Sequence, residues 1–172
     1  DQKARDAAGN VSIAATAIIV VQQVLSISVE PDLWNIGSTE VNKAVTMGQA
    51  GKITVTNNGT GTQTYELKLI NPAGWTASTI VGNERYVLSG IFCGLNDIPQ
   101  VASFNQGVVG EDVVTQQARK ATGTIFCYTQ GTANGAAVPA GSLRALYLQF
   151  KSPTITVKKD EQIISVIVSC QV

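Results

Sequence analysis

The stretch GKITVTNNGTGTQTYELKLI, Gly51 to Ile70, carries the clearest local signal in the chain. Ile53 and Val55 alternate with threonine, and Tyr65, Leu67 and Leu69 resume the same period of two. Alternation at that period places apolar side chains on one face of a β-strand. Between the two runs, NNGTG supplies residues that tolerate positive φ, so the sequence predicts a β-hairpin with a moderately short turn. NPAGW follows as a second turn, and Trp75 is expected to plug the end of a core.

Outward from this hairpin the same grammar repeats. RYVLSGIF, EDVVTQ, ATGTIFCY, LRALYLQF and QIISVIVSCQV all read as strands, separated by turn-rich stretches of which QGTANGAAVPAG is the most evident. LRALYLQF is nearly continuous in its apolar residues, which predicts a strand covered on both faces. In the last segment Ile164, Val166, Val168, Cys170 and Val172 form one apolar face. No stretch sustains helical periodicity with caps. The expected fold is all-β: one antiparallel sandwich of immunoglobulin-like or jelly-roll type, spanning residues 23–172, preceded by an arm over residues 1–22.

That arm holds the longest alternation. In NVSIAATAIIVVQQVLSISV, Asn10 to Val29, nine of the ten odd positions from Val11 are apolar, and five of the nine even positions are Ser, Thr or Gln. At about 3.3 Å per residue a strand of that length runs to roughly 60 Å, beyond what one small domain covers. Gln22 and Gln23 break it in two. The second piece reads as the first strand of the sandwich. The first piece, with Val11, Ile13, Ala15, Ala17, Ile19 and Val21 on its apolar face, has no Gly and no Pro. Exposed, such a ribbon is an aggregation hazard. Two readings stay open: it is a strand of its own sandwich, with Gln22–Gln23 as a bulge, or it inserts into a neighbouring subunit. In the second case burying six alternate side chains is worth roughly 8–12 kcal/mol before ordering costs. One such head-to-tail contact repeats without closing, so it builds a filament. Ile164, Val166 and Val168 are the expected lining of the acceptor groove.

Composition narrows the function. The chain has 172 residues, 44% apolar and only 14% charged, and its twelve basic and twelve acidic residues cancel. There is no electrostatic case for nucleic acid or for an anionic membrane. The apolar run Ile13–Val21 is far shorter than the ~20 residues of a spanning helix. The start at Asp1, with Lys3 and Arg5 before the apolar run, is read as a mature terminus from which an export signal has been removed.

The chain has no histidine, so Ser–His–Asp and Cys–His arrangements are excluded. The adjacent acids Glu111–Asp112 and Asp160–Glu161 read as solvated loop carboxylates, and no DxDxDG spacing marks a calcium loop. No enzyme and no cofactor are expected. Cys93 and Cys127 each close an IFC run, and a disulfide between them fits an oxidising compartment; three buried free thiols are the other reading. Cys170 reads as an inert core thiol. Of the sequons at Asn10 and Asn58, Asn58 in its turn is the better glycan site. Trp34, Trp75 and Tyr86 are candidates for a sugar platform, with core packing as the preferred reading.

The ordered series ISVEPDLWNIG, ITVTNNGTGTQTYELKL, GW, YVLSGIF, VPAGSLRALYLQFKSPT and IISVIVSCQV resembles secreted bacterial β-sandwich proteins. The arm is similar in kind to that of donor-strand filament subunits, such as TasA-type biofilm fibres and archaeal bundling pili. The chain departs from the type IV pilin pattern, lacking a processed Phe followed by a hydrophobic helix. The resemblance implies an extracellular or cell-surface fibre subunit without cofactor, whose partner is itself, with surface glycans or surface proteins as further partners. The runner-up is a secreted binding module for carbohydrate or a surface protein.

Overall fold

Alternation in the sequence becomes alternation of burial in space. The computed structural model describes residues 23–105, 111–158 and 160–172. Its strands are β1 (Ile27–Glu30), β2 (Ala44–Thr46), β3 (Ile53–Asn57), β4 (Thr64–Ile70), β5 (Thr76–Ala77), β6 (Arg85–Cys93), β7 (Arg119–Lys120), β8 (Leu143–Lys151) and β9 (Ser165–Gln171). In β3 and β4 every second residue is buried, as a half-covered strand requires. In β6 and β8 nearly every residue is buried, because these central strands are covered on both faces. The only helical pieces among the described residues are short 3-10 turns at Gln49–Gly51 and Val101–Asn105.

The strands form two sheets, and the protein is an all-β sandwich. The larger sheet runs β1-β3-β8-β6-β5, with β2 also on β8; the smaller runs β7-β4-β9. All pairings are antiparallel except the short β5–β6 pair. Between the sheets lie Val55, Tyr65, Leu67, Leu69, Phe92, Leu146, Leu148 and Phe150, all buried. Gly90 lets the sheets close: a Cβ there would lie 2.8 Å from Leu67 Cδ1. At one end Trp75 stacks on Phe150 at 6.0 Å between ring centres and tilts against Tyr86 at 6.4 Å, the plug expected of it.

The predicted hairpin does not form. β3 pairs with β1 and β8, whereas β4 pairs with β7 and β9, so residues 58–63 arch from one sheet to the other. Both strands point their alternating apolar residues into the same core, so alternation alone fits arch and hairpin equally. Buried polar groups decide for the arch. Asn57 Nδ2 donates to the Gly61 and Val138 carbonyls, each at 2.9 Å, and Asn57 Oδ1 accepts from Gly59 N at 2.9 Å. The Gln63 amide, turned so that its nitrogen meets acceptors, bridges Asn57 and the backbone of Ser26. A side chain at Gly59 would collide with the Val24 carbonyl.

Two other expected strands are also absent as such. EDVVTQ pairs with β6 only through the bridge Ser89–Val113 before it leaves for the other sheet. ATGTIFCY is broken at Phe126, whose φ is +52°, outside the range of a strand, and it makes a single parallel bridge, Phe92–Cys127.

Candidate functional site

The two long sides of the sandwich differ. On one side the segment after Glu111 stitches the sheets together. Gly90 N donates to the Asp112 carbonyl and Val114 N to that of Leu88, both at 2.8 Å; Leu69 N then donates to the Thr115 carbonyl at 2.9 Å. The free edge of β4 is covered along its length by Thr115, β7, Ala121, Gly135 and Val138. Arg119 donates to the Val113 carbonyl at 3.0 Å and lies over the Phe126 ring at 5.4 Å.

The opposite side has no such stitch among the described residues. There β1 ends the larger sheet and β9 ends the smaller, and the two approach each other across the sandwich. β9 pairs with β4 from Ser165 to Gln171, setting Val166 opposite Leu69, Val168 opposite Leu67 and Cys170 opposite Tyr65. The β4 members of these pairs are fully buried; Val166, Val168 and Cys170 are only half-buried. Ile164, just before β9, is half-buried too. On β1, Ile27 and Val29 pack on the core and are likewise half-covered. An apolar row beside an edge left unpaired among the described residues is what an added strand would cover. The three expected acceptor residues therefore share one edge. Ile27 and Val29 were missed as a second wall, although their alternation was visible in the sequence.

β9 is held in place from its polar face. Glu66 accepts from Ser169 Oγ at 3.3 Å and from Gln171 Nε2. Burial, and then the Glu66 carboxylate, push the Cys170 thiol up, so it is a poor nucleophile near neutral pH.

The donor positions Val11, Ile13, Ala15, Ala17, Ile19 and Val21, and the Asn10 sequon, lie outside the described residues. Their attachment point is described. Gln23 Nε2 donates to the Thr62 carbonyl at 2.8 Å, Val24 N to Thr60 Oγ1 at 2.9 Å and Thr60 N to the Val24 carbonyl at 3.1 Å. The chain thus enters at the arch, and β1 runs away from it, from Ile27 opposite Asn57 to Glu30 opposite Thr54.

The expected disulfide is not formed: Cys93, Cys127 and Cys170 are free thiols. The bridge pairs Cys127 with Phe92, one residue out of register from Cys93, and successive strand residues face opposite ways. Burial pushes the Cys93 thiol up to about 12. Asn58 is exposed on the arch, where a sequon is accessible. Tyr86 is fully buried, and Trp34 and Trp75 pack against the core, so the three aromatic residues considered for sugar stacking are engaged in packing.

The expectation of a solvated Glu111–Asp112 pair is corrected at Asp112. Pairing of its backbone with β6 draws it under the sheet, leaving it 9% exposed, with Oδ2 lacking a hydrogen-bond partner. Burial holds its carboxyl above the ordinary carboxylate range, against the opposing pull of the Ser89 hydroxyl, Lys151 and Arg119. Among the described residues no three Asp, Glu or Cys side chains converge to hold a metal ion. A shallow depression on the larger sheet is lined by Ser28, Glu30, Pro31, Thr54, Thr56 and Leu143, and a second by Ala77 to Thr79 and Val114 to Gln117. Neither joins a nucleophile to a base. No helix among the described residues is long and apolar enough to cross a membrane.

No protein-family model matches the chain, and no curated protein matches its sequence.

Proposed function

We propose that the protein is the subunit of an extracellular filament, and that residues 11–21 of one copy pair with β9 of the next. The observation that carries this reading is the half-buried apolar edge of β9, which no strand among the described residues pairs with, set against the unusually long apolar alternation of residues 11–29.

Strand directions support an intermolecular rather than an intramolecular pairing. Continued backwards from β1, the chain leaves the sandwich at the arch. To return along its own β9 it would have to reverse near Gln22–Gln23, yet residues 11–26 contain no Gly, Pro, Asn or Asp. Continued straight on, it reaches a second copy of the same polarity. There it runs antiparallel to β9, which itself runs towards the arch, from Ser165 opposite Ile70 to Gln171 opposite Thr64. Eleven residues extend about 36 Å at 3.3 Å each, enough to cover the seven residues of β9, about 23 Å. Small side chains at Ala15 and Ala17 suit a narrow seam. The mechanism is polymerisation and uses no bound cofactor.

Negative-stain microscopy of the full chain and of a form lacking residues 1–22 tests this, with Cys170 alkylation at alkaline pH, where the raised thiol ionises, as a local readout. Filaments from the full chain, with Cys170 protected, and monomers with reactive Cys170 from the truncated form are expected. Monodisperse full chain with Cys170 as reactive as in the truncated form overturns it, and glycan retention by those particles would indicate a binding module.

A further inference from the structure

Both ends of the sandwich are unusual surfaces. The end bearing the arch, called the base, is built from residues 23–29, 57–65, 129–143 and 167–172. Gln63 and Val138 exchange backbone bonds there, and Ser142 and Gly141 bond to Asn57. Those segments contain no Asp, Glu, Lys or Arg at all. Val24, Leu25 and Val172 are exposed on it. The far end, the apex, gathers the end of β4, the 71–75 turn and residues 154–158 and 160–163. Trp75 Nε1 donates to Thr156 Oγ1 at 3.0 Å, Gly74 N to Gln162 Oε1 at 3.1 Å, and Val157 N to Glu84 Oε1 at 2.8 Å. On that braced platform stand Ile70, Ile155, Val157 and Ile163, exposed by 55%, 61%, 77% and 72%, with the exposed charges Lys158, Asp160 and Glu161 in the same segment.

We infer that apex and base are complementary faces, and that the base of one copy seats on Ile70, Ile155, Val157 and Ile163 of the next. This rests on the donor-strand reading and adds a second contact to it. The polarity argument fixes the occupant. An arm that leaves the base of one copy and runs along β9 of the next must pass the apex first, because β9 starts there, beside Ile163. Threading the arm therefore brings that base onto that apex. The charges that reach the base segments, Asp97 on Thr132 and Arg144 on the Asn134 carbonyl, are already hydrogen-bonded there, and a face with few charges is cheaper to desolvate at the centre of an interface. Four branched apolar side chains at one end are more than the scattered exposure that needs no explanation. End-on seating fixes the angle between successive subunits and makes the fibre stiff.

Two full-chain variants test the seating without touching the arm or β9: Val157→Asp on the apex and Ala140→Asp on the base. Both sites are exposed, and unchanged far-ultraviolet dichroism and thermal midpoint of the dissociated protein check that the fold is intact. Each variant is expected to raise the concentration at which filaments appear at least tenfold and to yield short, flexible oligomers in which Cys170 stays protected. Variants that polymerise at the wild-type concentration into fibres of wild-type length and straightness overturn the seating and leave the donor strand standing. Absence of wild-type filaments, with Cys170 unprotected, overturns both.

Discussion

Asp112 shows how far one buried carboxyl can set the pH response of a protein that lacks histidine. Its ordinary value is 3.8, and burial raises it in the fold. Over the window from about pH 4 up to the raised value, the folded state binds more protons than the unfolded one. Stability contributed here is therefore present in acid and lost as pH rises. The charges facing the group are Lys151 and Arg119, which limit the shift without cancelling it. Asp112→Asn keeps the shape and the Ser89 partner but cannot ionise. Thermal melts should superimpose on wild type near pH 3 and show the variant about 2–4 °C higher by pH 8. A gap independent of pH, or one of opposite sign, would count against this account.

The arch is the element on which the topology turns. Had residues 58–63 closed a hairpin, β3 and β4 would lie in one sheet and the sandwich would be wired differently. Three bonds from one buried side chain, Asn57, hold the arch in shape. Asn57→Ala takes the partner from the Gly59 amide and the Gly61 carbonyl, while the Val138 carbonyl keeps its bond from Gln63 N, and each lost buried bond is costly. Urea titration should show a loss of about 2–4 kcal/mol. Asn58→Ala, one residue along and exposed, should stay within about 0.5 kcal/mol of wild type. Equal effects at the two positions would mean that the arch is held by something else. The hairpin error has a plain cause: period two reports which face of a strand is buried, and says nothing about which strand lies beside it.

At the scale of the whole molecule, one side of the sandwich is sewn shut and the other is not. Residues 112–121 tie β6 to β4, while among the described residues β1 and β9 remain edges. If a second copy supplies the missing strand, association and stability are linked by mass action. The thermal midpoint of the full chain should rise with protein concentration, by several degrees over a hundredfold range. The form lacking residues 1–22 should melt at one temperature throughout, because the described residues carry a buried core of their own. A full chain whose midpoint ignores concentration would speak for a monomer.

Several features were legible in the residues themselves. The all-β class, the positions of β3, β4, β6, β8 and β9, the two-sided burial of β8 and the plug at Trp75 follow from local periodicity and turn chemistry, which act over a few residues. The apolar face of β9 was legible for the same reason. What stayed hidden depends on contacts between residues far apart in the chain. That Phe126 takes a positive φ, that Cys127 pairs with Phe92 instead of Cys93, that Asp112 is buried and that β1 supplies a second wall beside β9 are all decided by which segments meet. Local pattern is set by the chain's own geometry; partner choice is set by the joint burial of the whole core, and only the tertiary structure expresses it.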